Sequence, residues 1–396
     1  MVAVRVWLPG GSGAEQRPGQ ALVSGRLLLE GTGSRDWRKI CEDAEQRGIA
    51  LASDAGYEAQ GLSIDALADD WELALTWAAE LIRESVFPEN RCRWLARQAA
   101  AELEQMADHP DVKTSWAFDR QLFGDAARGR PLQGSVESLR GLDAEACRRF
   151  HRFCLERGAI IAVAGDLSEP EVEARVRHLF GDLESPNWHA RAESASAPAS
   201  APDSSSHQTV ALDEAGQAYW FGGALTVSRA HPDYWALGLL GIVLGAGGNL
   251  SGRISHRVRE LEGLAYSCAV ATTASAGRDP GCFAVSVGTS PESIHQVEAA
   301  VTEELETLVQ DGVTAQELQD ARAFALGRAP FQRETARQWA NLLAQAELFG
   351  AAIDDQEWVA RRWRKVALED MLRVARRYLD PGRIRVTVGS AEAAAS

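Results

Sequence analysis

No apolar run in the 396-residue sequence approaches the roughly 20 residues that a membrane-spanning helix needs. The opening MVAVRVWLPGG has no charged leader followed by an apolar core and a cleavage site. Together these absences set the expectation of a cytoplasmic protein, or of a periplasmic or organellar one if a leader has been removed. Cys-x-x-Cys is also missing. The six cysteines stand at 41, 92, 147, 154, 268 and 282, which excludes the local zinc-finger and dithiol motifs. Cys268 and Cys282 lie in apolar stretches and read as reduced core residues. No two of the eight histidines are three or four apart, so no helix presents an imidazole pair to a metal. His151 and Cys154 are three apart, but a half-buried helix that binds nothing accounts for them.

Blocks of positive charge are absent as well. The formal net charge is -15, and the arginines are scattered. That disfavours nucleic acid and anionic membranes as partners, since both need local positive charge. Gly245-Ala-Gly-Gly-Asn lacks the Lys-Ser/Thr of a phosphate loop and reads as a tight turn between helices. Val23-Ser24-Gly25 does not make a Gly-x-Ser-x-Gly elbow, so a serine hydrolase has no support.

What is present describes an ordinary globular chain, 45% hydrophobic and 24% charged, long enough for two cores. Ser185 to Ser206 is rich in Ala, Ser and Pro, cannot bury a core, and reads as a flexible linker. It sets domains at residues 1–184 and 207–396. Val2 to Leu8 is a buried-strand pattern broken only by Arg5. Helices are expected over Gln20–Glu30, Trp37–Arg47, Ala66–Glu84 and Pro88–Met106, with a strand over Tyr57–Ile64. In the second half, strands are expected over Gln217–Leu225, Tyr266–Thr273 and Cys282–Val287, a helix over Tyr234–Gly245, and further helices through Pro291–Leu379. Trp220 and Trp235 read as core residues rather than as the lining of a peptide groove. Each half closes on a β run, at Ala159–Ala164 and in DPGRIRVTVGSAE, a weak internal repeat. The fold class is therefore α+β, two similar domains with a mainly antiparallel sheet and packed helices in each.

Three stretches carry a resemblance: PGQALVSGRLLLEGTGSRD from Pro18, LFGDAARGRPLQGSVESLRGLDAEACRRFHRFCLERGAIIAVAGD from Leu122, and LGAGGNLSGRISHRVRELEGLAYSCAV from Leu244. In this order they resemble the pitrilysin/insulinase family of zinc peptidases, whose members carry the inverted motif His-x-x-Glu-His. The third stretch, with Arg-Glu-x-x-Gly-Leu-Ala-Tyr, is the most specific. The opening strand hairpin usual in the family looks shortened.

The motif itself is lost. Counting back from Gly31-Thr32, its first His falls at Leu22, its Glu at Gly25 and its second His at Arg26. The chemistry needs two imidazoles four apart with a carboxylate nearby as general base. An alkyl chain, no side chain and a permanent cation supply none of this. Glu102 or Glu104 lies about where the family's further zinc ligand would fall, and without the histidines it reads as a solvated helix residue.

Arg259 and Tyr266 remain. Gly263 predicts a helix C-terminus, placing Arg259 in the last helical turn and Tyr266 at the start of the next strand. An arginine there also complements a helix dipole, and a strand tyrosine is ordinary, so spacing alone leaves both readings open. The resemblance implies that the pair reaches substrate carbonyls near the zinc of an opposing, homologous subunit. It thus implies a non-catalytic, substrate-binding half of a heterodimeric zinc peptidase acting on peptides or unfolded polypeptides. No metal is expected in this chain, with zinc in the partner. The alternatives are a scaffold-type relative with no peptidase role, an accessory peptide binder for maturation of a precursor peptide, and an independent peptidase with a metal site assembled from distant residues.

Overall fold

The computed structural model describes residues 1–183, 205–212, 216–248, 251–350 and 357–391. The expected linker falls outside the described residues except at its end, where Ser206 opens a strand. In chain order the first half runs β1 (Val2–Pro9), α1 (Gln20–Leu27), α2 (Trp37–Arg47), β2 (Ala50–Ala55), β3 (Ala59–Ala66), α3 (Trp71–Arg83), α4 (Glu89–Ala107), α5 (Pro110–Phe123), α6 (Val136–Arg140), α7 (Ala144–Leu155), β4 (Ile160–Gly165) and α8 (Glu169–Phe180). The second half begins β5 (Ser206–Ala211), β6 (Ala218–Leu225) and α9 (Tyr234–Leu244). A short helix, Arg253–Ser255, then widens into a π-helical turn, His256–Leu261, which leads to β7 (Ala265–Ala274) and β8 (Cys282–Thr289). The chain ends with α10 (Ile294–Asp311), α11 (Ala315–Arg328), α12 (Ala336–Leu348), α13 (Trp358–Lys365), α14 (Leu368–Tyr378) and β9 (Arg385–Ser390).

The chain forms two compact units that are not continuous in sequence. Among the described residues, the first holds 1–105, 130–183 and 331–350, and the second holds the rest. Each sheet therefore carries one helix from the other half of the chain.

In the first unit an antiparallel sheet has the order β2-β3-β1-β4. Alternation along β1 sorts its side chains between two environments. Val2, Val4, Val6 and Leu8 enter the main core with α1, α3 and α7. Arg5 and Trp7 face α12, where Ile160, Ala162, Ala344 and Leu348 make a second cluster. Arg5 is almost completely buried, and its guanidinium donates to Asn341 Oδ1 at 2.6 Å and to Asp65 Oδ1 at 3.0 Å. The charge that interrupts the apolar run is thus the polar lock between strand and helix, and it is tolerated because its donors are used.

In the second unit the order is β5-β9-β6-β8-β7, antiparallel except for the β5–β9 pair. Ile384, Val386 and Val388 join the main core, while Arg385 and Thr387 face α5. Arg385 donates to the carbonyl oxygens of Gln121 and Leu122, and Thr387 Oγ1 donates to Gln121 Oε1 at 2.7 Å. A side chain on Gly389 would run into Thr114, so α5 lies directly against the strand there. On the same helix, half-buried Asp119 has no ion-pair or hydrogen-bond partner among the described residues. Burial pushes its carboxyl up to about 7.

Candidate functional site

The degenerate motif lies on α1, a helix buried along nearly its whole length. Leu22 points into the main core of the first unit. Gly25 faces the β2–β3 corner, where an added Cβ would stand 3.3 Å from the carbonyl oxygen of Asp54 and 3.7 Å from the Ala55 methyl. Helix α1 thus packs closely on the sheet at Gly25, the position expected for the motif's Glu. Beside it, the side-chain amide of Gln60 is wholly buried and finds no oxygen or nitrogen partner among the described residues. Asp54 accepts from Trp7 Nε1 at 3.1 Å and from Ser63 Oγ.

Arg26 reaches across to α4. Its Nη2 donates to Glu102 Oε2 at 2.8 Å and its Nη1 to Glu102 Oε1 at 3.2 Å, a two-pronged ion pair. Glu102 is therefore half-buried and committed, which corrects the expectation of a solvated helix residue. The reason is a contact 76 residues apart in sequence, with planar guanidinium and carboxylate geometries that match. The donor set does not fit zinc: a guanidinium occupies the one carboxylate within reach, and no imidazole is near. Among the described residues no cluster of three or more His, Cys, Asp and Glu side chains is placed to hold a metal. His151 is buried on α7, its Nε2 2.7 Å from the Ile82 carbonyl, and burial pushes its pKa down. Three residues on, the Cys154 thiol donates to the Gly10 carbonyl oxygen at 3.5 Å, and burial pushes it up to about 12.

In the second unit the segment around Arg259 is pinned by its neighbours. Arg253 forks onto Glu317, at 2.6 and 2.8 Å. Burial would raise the Glu317 carboxyl, but hydrogen bonds from Arg253 and from the Thr314 cap outweigh it and hold the group at about 2. Arg257 pairs with Glu262 at 2.7 Å, Glu303 at 2.5 Å and Glu304 at 3.4 Å. Arg259 is left out of this network. Its side chain is 48% exposed, and among the described residues its one ion pair is a 3.9 Å approach to adjacent Glu260.

The expected α-helical last turn is instead the π-helical turn, closed by Gly263 at φ +63° and by Leu264 N–H donating to the Val258 carbonyl. The wider winding turns a helix's side-chain register. Tyr266 follows in β7, the edge strand of its sheet. Ala265 pairs with Thr289 and Ser267 with Gly288, so Tyr266 is the extra residue of a bulge. A bulge re-aims the side chain it carries, and Tyr266 is 66% exposed. Among the described residues no hydrogen bond joins Tyr266 to Arg259, and both side chains are exposed. Burial raises the Cys268 thiol two residues on, and the Arg259 guanidinium opposes that rise. Of the two tryptophans expected in the core, Trp220 is buried and Trp235 is only partly so.

Residues 145–324 match the family described as the peptidase M16 inactive domain. Over these residues the chain is similar to the peptidase M16 inactive domain. A Bacillus subtilis relative described as the uncharacterized zinc protease YmxG is 26% identical, over 81% of this chain and 76% of its own. A Helicobacter pylori relative described as the non-peptidase homolog YmxG is 23% identical, over 91% and 82%. The solved M16 inactive-domain protein of Pseudomonas fluorescens superposes with a TM-score of 0.85 at 21% identity, covering 98% of this chain and 92% of its own. The α+β architecture is thus that of the M16 inactive-domain proteins. Among the described residues no helix is long and apolar enough to cross a membrane. At the positions expected for the zinc motif stand Leu22, Gly25 and Arg26, and Arg259 and Tyr266 are exposed.

Proposed function

We propose that this chain is the non-catalytic, substrate-binding subunit of a heterodimeric zinc metallopeptidase that cleaves peptides or unfolded polypeptides. One observation carries the reading: the expected metal position is closed by an internal ion pair, while Arg259 and Tyr266 are exposed beside the anchored Arg253 and Arg257. An arginine held only for stability would be paired as Arg253 and Arg257 are. A free guanidinium suits a peptide carbonyl, and a free phenol can donate to a developing oxyanion. The edge of β7 is open for a substrate strand to add by main-chain hydrogen bonds. Zinc is expected in a homologous partner subunit.

Affinity capture of the tagged chain from its own cells, with mass spectrometry, tests this. A stoichiometric partner carrying His-x-x-Glu-His supports it, and the mixed complex is then assayed on unfolded peptides. Recovery of the chain alone, or with an assembly that has no peptidase, rejects it. A scaffold role is the second reading, favoured by the relative described as a non-peptidase homolog. Saturable binding of a precursor peptide by the isolated chain would point instead to a maturation accessory.

A further inference from the structure

The second unit holds a cavity of about 530 Å³ that the M16 reading does not use, lined by Trp235, Trp358, Arg361, Arg362, Lys365 and Arg373 among others. Helix α13 forms one wall. Its eight residues, WVARRWRK, concentrate positive charge in a chain whose net charge is -15. The other wall is the start of α9, with Pro232, Trp235 and Ala236.

The charges in this cavity differ in how far they are committed. Arg373 is neutralised by Asp233 at 2.5 Å and Asp370 at 3.2 Å, so it is a rigid wall rather than a free cation. Arg362 and Lys365 are exposed and have no carboxylate partner among the described residues. The Arg362 guanidinium lies over both indoles, 5.5 Å from the Trp235 ring and 5.6 Å from the Trp358 ring. Such stacking preorganises the guanidinium and leaves its N–H edge available to an acceptor. Trp358 is 4% exposed, and its buried indole N–H has no hydrogen-bond partner among the described residues. A buried donor without an acceptor is costly, and a ligand oxygen would satisfy it.

We infer that this cavity receives an acidic peptide segment of a partner protein. One carboxylate is held by Arg362 and Lys365, a peptide or carboxylate oxygen accepts from Trp358 Nε1, and an apolar side chain rests on Trp235, Ala236 and Val366. Tryptophan and arginine together are what dominate binding energy at peptide and protein interfaces. The size is that of a peptide or small-molecule cleft rather than of a single inorganic anion. The cavity has an apolar floor that a bare polyanion would leave unused. The site is separate from Arg259 and Tyr266, and the inference goes beyond the peptidase-subunit reading.

A fluorescein-labelled peptide of alternating Glu and Leu, titrated with the full chain by fluorescence anisotropy, tests the site. The wild type is expected to bind it saturably, more weakly as salt is raised, and to ignore the same peptide with Lys in place of Glu. Arg362→Glu with Lys365→Glu should weaken binding by about tenfold or more, with unfolding still a single cooperative transition above the assay temperature. Trp358→Phe, which keeps the ring and removes the N–H, should weaken it severalfold. No saturable binding by the wild type overturns the proposal, as does equal binding by the charge-reversed variant. Stronger competition by inorganic polyphosphate or anionic lipid vesicles than by unlabelled peptide also overturns it.

Discussion

The Arg26 guanidinium holds the Glu102 carboxylate in a two-pronged grip, with separations of 2.8 and 3.2 Å, and so ties α1 to α4 without a metal. In a zinc peptidase the ion would join a motif helix to a distal carboxylate; here the protein supplies its own cation.

The melting temperature of the wild type should therefore not change with added zinc or with a chelator. A bound ion at a hundred times its Kd would add about 2.7 kcal/mol. Glu102→Gln should cost about 1 kcal/mol, the value of a partly exposed charged pair. A zinc-dependent rise in melting temperature would contradict the assignment.

Reintroducing the missing carboxylate should be harmful. The Cβ of Gly25→Glu meets the Asp54 carbonyl oxygen at 3.3 Å, and overpacking of this kind costs roughly 1–3 kcal/mol. Urea unfolding measures it, and a neutral effect would mean that α1 is free to move off the sheet.

Arg259→Ala and Tyr266→Phe should each leave stability within about 0.5 kcal/mol of wild type, since neither side chain is buried. In a reconstituted complex with a zinc-bearing partner, each should lower peptide cleavage by about a hundredfold, the scale of a lost oxyanion donor. Full activity in both variants rejects the role given to this corner.

Asp119 should give the fold a pH dependence. Its carboxyl titrates at the ordinary 3.8 when unfolded and at about 7 when folded. Below both values it is neutral in both states. As pH rises through this window the unfolded chain ionises first, so stability falls, and the loss is complete above about 7. Asp119→Asn should flatten that slope and be more stable than wild type at about pH 8. Unfolding midpoints across the window would show it, and parallel profiles for the two proteins would exclude this group as the source.

The strongly patterned elements were legible in the sequence. The helix expected over Trp37–Arg47 has those bounds, and β1 and β8 were missed only by their last residues. Two strands were not seen, β2 (ALASDA) and β5 (SHQTVA). Both are edge strands with little burial and with Ala, Asp, Ser or His where a central strand carries Val or Ile, so neither alternation nor propensity marks them. That Leu22, Gly25 and Arg26, the expected motif positions, share one helix was legible from the pattern after Gln20. The grip on Glu102 was not, because no local rule joins residues 76 apart. The bulge at Tyr266 and the π-helical turn were hidden for a similar reason: pairing with β8 and the anchoring of Arg257 decide them, and neither leaves a trace in spacing.

The helices that change halves also set an order of assembly during synthesis. When residues 1–183 have emerged from the ribosome, the first sheet has all four of its strands, but α12 is still more than 150 residues away in the sequence. Until it arrives, Trp7, Ile160 and Ala162 lack their cover, and Arg5 lacks Asn341. Contacts this distant make folding slow and leave early intermediates open to misassociation. The nascent chain must therefore wait, half-closed, for a helix encoded near its end, and a fragment truncated before residue 331 would leave Trp7, Ile160 and Ala162 uncovered.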